Sequence, residues 1–193
     1  MKSICVFAGS SSGARPEYVG AAEDLGRALV ARGIGLVYGG ARVGLMGVLA
    51  DTVLAGKGDV IGVMPEALVA KEVAHTGLPD LRVVPSMHER KALMADLADG
   101  FIALPGGFGT WEEFFEVLTW GQLGLHVKPC GLLNVQGYFN PLLASVGHSV
   151  AEGFVRPEQG SMILVASSAD ALLDQCAAYV PPRVTKWIDR AAT

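Results

Sequence analysis

The chain alternates along its whole length between short apolar runs and segments with helical periodicity. The apolar runs predict seven strands, at residues 4–9, 35–40, 59–65, 81–86, 101–107, 130–135 and 162–167. Helical patterns lie between and after them, at residues 16–33, 44–55, 87–99, 110–124, 141–152 and 169–179. Apolar strands separated by helices are typical of a parallel sheet covered on both faces. We therefore expect an α/β fold, a single Rossmann-like doubly wound domain over residues 1–193 with a parallel sheet flanked by helices.

Composition narrows the possible partners. The 193 residues are 51% hydrophobic and 18% charged, which excludes a disordered chain. A net charge of −4 without a long basic run argues against binding to nucleic acid or to an anionic membrane. No stretch approaches the roughly 20 apolar residues that span a bilayer, and the first apolar run stops at Ala8, too early for a secretory signal. Because Cys5, Cys130 and Cys176 are widely spaced, we expect a cytoplasmic protein without disulfides.

The glycine-rich segment PGGFGTWEE, residues 105–113, follows a predicted strand and opens a predicted helix. Ligands of open parallel sheets bind beyond the carboxyl ends of the strands, where this segment lies. Its glycines allow close backbone approach, and the first amides of a helix favour a phosphate. It is neither a Walker A loop nor GxGxxG. Thr110 and Glu113 also have the spacing of a capping box, which needs no ligand, and the two roles can coexist.

Two further strand-end loops contain unusual residues. In SMHERK, residues 86–91, adjacent Arg90 and Lys91 open a helix, where cations oppose the helix dipole unless an anion is bound. The alternative is a solvated first turn. The loop YGGARVGLMG, residues 38–47, is a weak signal alone, since glycine turns also serve tight packing. The four histidines are scattered without metal-ligand spacing, so no metal site is expected.

These loops together resemble a known family. GSSSGARPEY, LVYGGARVGLMG, VIGVMPEAL, SMHERKALM, LPGGFGTWEE and EVLTWGQLGLHVKPCGLLN are similar to the LONELY GUY (LOG) proteins, which are cytokinin riboside 5′-monophosphate phosphoribohydrolases long mislabelled as lysine decarboxylases. The resemblance covers about residues 5–157, and it departs at Ala41, where many members have a third glycine. It implies hydrolysis of the N-glycosidic bond of a purine nucleoside 5′-monophosphate, AMP or N6-prenyl-AMP, without a cofactor.

The resemblance also implies which residues form the site. The catalytic pair falls on Arg90 and Glu113, the latter ending the PGGxGTxxE motif. Glu72 matches a position that the family uses near the base. The other expected substrate-binding residues are Ser10, Gly39, Gly40, Met87, Lys91, Gly106, Gly107, Phe108, Gly109 and Thr110. Glu116 and Thr119 follow one and two helical turns along from Glu113, a spacing that predicts that they line the same pocket.

Two other functions compete with this one. A non-catalytic mononucleotide-binding or sensing module would use the same fold and phosphate loop, although plain binding has no use for a carboxylate. A pyridoxal-phosphate decarboxylase needs a Schiff-base lysine, and of the six lysines only Lys91 is near the expected site. The resemblance also implies a homodimer, because family members assemble as dimers. The helix at residues 110–124 is apolar around much of its circumference, although burial within one domain would also explain that.

Overall fold

The computed structural model describes residues 1–69 and 74–182 of the chain. Within them, seven strands form one sheet in the order β4-β3-β2-β1-β5-β6-β7, and every neighbouring pair is parallel. The strands are β1 Ser3–Phe7, β2 Gly35–Tyr38, β3 Val60–Pro65, β4 Asp80–Val84, β5 Phe101–Ala103, β6 Cys130–Leu133 and β7 Ile163–Ala166. The predicted α/β fold and its parallel sheet are confirmed.

Helices connect the strands and cover the sheet. They are α1 Pro16–Ala31, α2 Gly44–Ala55, α3 Glu66–Val69, α4 Met87–Leu97, α5 Phe108–Gln122, α6 Asn140–Ala151, α7 Pro157–Gly160 and α8 Ala169–Ala177, with a 3₁₀ turn at Val135–Gly137. Pro16 occupies the first turn of α1, and Gly33 follows that helix with a φ of 64°, as its pattern predicted. No helix in the described part of the chain is long and apolar enough to cross a membrane.

The sheet separates two hydrophobic cores. On one face, Leu25, Leu49 and Leu172 from α1, α2 and α8 are fully buried against strand residues. On the other face, Met94 of α4 and Phe114 of α5 pack with residues such as Phe101. Helices on both faces explain why the strands are apolar along their whole length rather than alternating.

The strand order reverses direction beside β1. The chain runs outwards from β1 through β2 and β3 to β4, and then returns to place β5 on the other side of β1. The loops after β1 and β5 therefore diverge and leave a crevice at the carboxyl edge of the sheet, which is where doubly wound folds bind ligands. At this switch point the amide of Gly9 donates to the carbonyl of Pro105 at 3.1 Å, and the amide of Leu45 donates to Gly9 at 3.0 Å.

Candidate active site

Arg90 lies at the start of α4 and is held by three neighbouring groups. Ser86 caps the helix by accepting a hydrogen bond from the Glu89 amide at 3.2 Å, which fixes the first turn. The Nε of Arg90 donates to the carbonyl oxygen of Val63 at the end of β3, at 3.1 Å, and Nη1 lies 3.2 Å from the sulfur of Met87. Nη1 also lies 3.1 Å from Oε1 of Glu113 on α5. The guanidinium is thus fixed at the end of the sheet.

Glu113 is a largely buried carboxylate. Its side chain is 12% exposed and that of Arg90 is 11% exposed, so the pair is almost shielded from bulk water. Burial raises the pKa of Glu113, and the nearby charge of Arg90 offsets only part of that rise. A carboxylate and a guanidinium held together beside the end of β3, with the pKa of the carboxylate raised, indicate a candidate functional site.

Helix α5 starts earlier than the sequence pattern predicted. Its N-cap is Gly107, and the first helical hydrogen bond runs from the amide of Trp111 to the carbonyl of Gly107 at 3.1 Å. The capping-box interpretation of Thr110 and Glu113 is therefore wrong, because Thr110 already lies within the first turn. Its side chain is buried, 4% exposed. Glu113 is one turn further along, where its carboxylate is free for the contact with Arg90.

The start of α5 has the geometry of an anion site. The amides of Phe108, Gly109 and Thr110 lie in the first turn, where backbone N–H groups have no carbonyl partner within the helix. A Cβ added to Gly107 or Gly109 would meet no heavy atom within 4 Å, so the space beside these two glycines is open. The bare backbone leaves room for a phosphate.

Gly106 has a different role from its neighbours. A Cβ there would lie 2.1 Å from Oγ1 of Thr110 and 2.9 Å from the amide nitrogen of Gly9. The Tyr138 hydroxyl donates a hydrogen bond to the carbonyl oxygen of Gly106 at 2.5 Å. Gly106 therefore allows the loops after β1 and β5 to pack tightly, rather than opening the cleft.

The catalytic pair and the first turn of α5 line one cleft of about 380 Å³ at the carboxyl edge of the sheet. Among the described residues, eight of the predicted site residues line this cleft. They are Ser10, Gly39, Arg90, Gly107, Phe108, Gly109, Thr110 and Glu113. Phe108 is 86% exposed at its rim.

Other predicted residues lie beside the cleft or away from it. Met87 supports Arg90 through its sulfur, and Gly40 shapes the turn after β2 with a φ of 75°. Lys91 does not line the cleft, because its ammonium contacts Glu112 and Glu116 instead. The structure therefore does not place Lys91, Glu116 or Thr119 against a nucleotide in this cleft. Thr119 is exposed, and its hydroxyl donates to the carbonyl of Phe115 at 2.7 Å. Glu72 lies outside the described residues.

Sequence reasoning missed the apolar wall of the cleft. This wall is formed by Ala41, Val43, Met46, Met64 and Leu68. Val43 and Met46 belong to the glycine loop at residues 38–47, whose signal was weak. Met64 lies in β3 and Leu68 lies in α3. The only available hint was their position at strand ends. The wall gives the cleft an apolar part beside its polar, amide-lined part.

Comparisons with known proteins identify the family of the chain. Residues 46–176 match the family model described as possible lysine decarboxylase. A cytokinin riboside 5′-monophosphate phosphoribohydrolase of Rhodococcoides fascians is 53% identical over 89% of this chain and 87% of its own length. A protein of the same name from Arabidopsis thaliana is 49% identical over 93% of this chain and 84% of its own. A probable one from Oryza sativa subsp. japonica is 52% identical, over 92% and 78%.

Solved structures share the fold at lower identity. The molybdenum cofactor binding protein of Rippkaea orientalis superposes with a TM-score of 0.69 at 22% identity, covering 92% of this chain and 97% of that one. The molybdenum cofactor carrier protein of Chlamydomonas reinhardtii gives 0.67 at 20% identity, over 92% and 99%. At this identity the likeness concerns the fold alone. The family model and the relatives at about half identity show more: the chain belongs to the LONELY GUY family, as its loop motifs predicted.

Proposed function

We propose that this chain hydrolyses the N-glycosidic bond of a purine nucleoside 5′-monophosphate, AMP or N6-prenyl-AMP, releasing the free base and ribose 5-phosphate. The observation that carries the proposal is the largely buried contact of Arg90 with Glu113 in a cleft that also includes the first turn of α5. Relatives at about half identity are named for this class of reaction. A binding module would need the amides, but not the buried carboxylate.

The phosphate binds at the first turn of α5. The amides of Phe108, Gly109 and Thr110 supply donors, and the helix dipole favours the negative charge. This contact is remote from the bond that breaks. Its binding energy therefore serves to position the ribose against Glu113.

Glu113 acts as a carboxylate on the sugar. The bond between C1′ and the base nitrogen breaks, and its electron pair leaves with the base while positive charge grows on the ribose. The carboxylate stabilises that charge and orients the water whose oxygen bonds to C1′. The proton that this water loses neutralises the negative charge that the departing base acquires. Arg90 holds Glu113 in place and opposes its protonation.

The apolar wall accepts the base. Val43, Met46 and Leu68 present aliphatic or thioether groups to the same cleft as the catalytic pair. A planar purine buries its faces well against such side chains. An N6-prenyl group adds more apolar surface, so both substrates suit this wall.

Lys91 does not suit the role of the Schiff-base lysine that a pyridoxal-phosphate decarboxylase would need. A Schiff-base lysine must lose its proton to attack a carbonyl. Burial lowers the pKa of Lys91, but the hydrogen bonds and the negative charges of Glu112 and Glu116 together raise it by more, so the net shift is upward. The ammonium is thereby held in its unreactive form. Lys91 does not match the requirement for a pyridoxal phosphate site.

The substrate proposal is tested by comparing AMP with adenosine. The purified chain is incubated with each, and adenine is followed by chromatography together with ribose 5-phosphate. Adenine release from AMP, with turnover of adenosine at least about 100-fold slower, would support it, since remote phosphate contacts contribute to kcat. Tight binding of AMP without release of adenine would instead favour the mononucleotide-sensing module.

We also propose that the protein is a homodimer. Half-buried Phe115, Leu118 and Trp120 lie on α5. A hollow of about 540 Å³ lies beside α4 and α5, and its lining includes Trp120, Leu125 and the 68% exposed Val127. A second copy would cover this apolar surface. Light scattering should give a dimer mass for the wild type and for a Phe154→Asp control, and a lower mass for Val127→Asp.

A cytoplasmic location is part of the same proposal. Cys5, Cys130 and Cys176 are all buried and unpaired, which suits a reducing compartment. Fractionation of cells that produce the chain would test it.

A further inference from the structure

Lys91 is a buried lysine held by two carboxylates. Its side chain is 9% exposed, and its ammonium lies 2.5 Å from Oε1 of Glu112 and 2.9 Å from Oε1 of Glu116. Both carboxylates belong to α5, and Lys91 belongs to α4. A buried charge is costly unless it is paired, so Lys91 must keep these ionic contacts in the folded protein.

The cluster lies directly beside the catalytic pair. Arg90 precedes Lys91 on α4, and Glu113 follows Glu112 on α5. Consecutive residues of a helix point about 100° apart. The contact of Arg90 with Glu113 and the contacts of Lys91 therefore connect α4 and α5 at different faces of these helices. One contact lies in the cleft and the other lies outside it.

The two helices rest on different parts of the sheet. Helix α4 packs mainly against β3, and α5 packs mainly against β5. These strands lie on opposite sides of β1 in the sheet order. Both helices also pack against β1, which lies between β3 and β5 in the sheet order, and the Lys91 cluster adds an ionic contact that joins the two helices directly.

We propose that Lys91 is a positioning residue for this reaction: clamped between Glu112 and Glu116, it holds α4 against α5 so that Arg90 meets Glu113. The inference rests on the function proposed above. It replaces the expectation that Lys91 binds the nucleotide. Lys91 acts through Arg90 and Glu113, without touching the substrate.

The charges of the cluster also act on Glu113. The groups that face Glu113 are Arg90 and Lys91 from α4, Glu112 and Glu116 from α5, and the neutral thiol of Cys5 from β1. Besides the burial that raises it, the pKa of Glu113 is lowered by Arg90 and Lys91, and raised by Glu112 and Glu116. Removing the Lys91 charge therefore moves the pKa of Glu113 up, and removing the Glu112 charge moves it down.

The test compares Lys91→Met and Lys91→Arg with wild type and with a Lys57→Met control, whose lysine is exposed, precedes the start of β3 and does not line the cleft. For Lys91→Met we expect kcat on AMP to fall on the order of 100-fold, as for a misplaced catalytic group, while KM changes less than about 3-fold. The acid limb of the kcat profile should move to higher pH. Lys91→Arg should restore most of kcat.

Two results would overturn the inference. A KM for AMP raised more than about 10-fold with kcat unchanged would mean that Lys91 binds substrate directly. Unchanged kcat, KM and pH profile would mean that it positions nothing. If wild type and Lys57→Met release no adenine, the proposed function fails as well, whereas active controls confine the failure to this inference.

A second variant covers the case in which Lys91→Met does not fold. Glu112 is 56% exposed, so Glu112→Gln is a milder change that keeps Glu116 for Lys91. We expect a lower kcat with the acid limb moved to lower pH, opposite to Lys91→Met. A shift to higher pH, or no change in kcat, would contradict the inference.

Discussion

Gly39 lies directly against the guanidinium of Arg90: a Cβ on Gly39 would be 2.0 Å from Nη2. The glycine after β2 thus makes space for a side chain that comes from α4, two strands further along the chain. Arg90 reaches Glu113 only because this position has no side chain. The contact connects the glycine loop at residues 38–47 to the catalytic pair.

Gly39→Ala should therefore inactivate the protein without unfolding it. The obstructing atom is the far end of a flexible side chain, which moves at low cost. Arg90 is displaced, and we expect kcat on AMP to fall on the order of 100-fold. Circular dichroism and the thermal midpoint should change little. Gly20→Ala is the matched control, since its Cβ would meet nothing within 4 Å on α1. Wild-type kcat in Gly39→Ala would contradict the account.

The two adjacent glycines of the α5 loop should respond differently to alanine. In Gly106→Ala the new Cβ overlaps the buried Thr110, so we expect a loss of about 1–3 kcal/mol in the free energy of unfolding. In Gly107→Ala the Cβ enters open cleft space, so stability is kept and KM for AMP rises on the order of 10-fold. Urea denaturation and steady-state kinetics check the pair. Equal effects of both variants on stability and KM would contradict it.

The acid limb of the activity profile should report Glu113. Catalysis needs its carboxylate, and burial raises its pKa above the ordinary 4.5. The kcat on AMP should therefore fall as pH decreases through a midpoint above 4.5. Measuring kcat across the acid range at saturating AMP tests this. An acid limb at or below 4.5 would contradict the burial argument.

The same pKa shift predicts that Glu113 lowers stability at neutral pH. A folded-state pKa raised above the unfolded value favours folding when the group is protonated, and that gain is lost as pH rises through the folded pKa. Glu113→Gln, a neutral isostere, should therefore have a higher free energy of unfolding than wild type at pH 7. The difference should vanish below the ordinary glutamate pKa of 4.5, which the unfolded chain has. A less stable Glu113→Gln at pH 7 would contradict this.

The fold was predictable because its signals are local and repeated. Buried parallel strands are apolar throughout, so the pattern located all seven strands, including the short β5. The four-residue helices α3 and α7 were not predicted, because one turn is too short to show periodicity. The assignment of all 193 residues to one domain stays a prediction, since residues 70–73 and 183–193 lie outside the described part.

The site was predictable only in part. Strand-end position and family motifs selected Arg90 and Lys91 together, but neighbours on a helix point in different directions. The rotation of α4 about its axis is set by packing, so sequence could not decide which cation enters the cleft. The start of α5 was misplaced for a related reason. Its cap, Gly107, has no side chain and so gives no signal like that of Thr110.

The most direct test of the central claim compares wild type with Glu113→Gln on AMP, measuring both AMP affinity and adenine release. The account predicts that both bind AMP within about 3-fold of each other, and that Glu113→Gln releases adenine at least about 100-fold more slowly, the usual cost of losing one electrostatic stabiliser. Adenine release by Glu113→Gln at the wild-type rate would contradict the claim that the buried pair of Arg90 and Glu113 performs the hydrolysis.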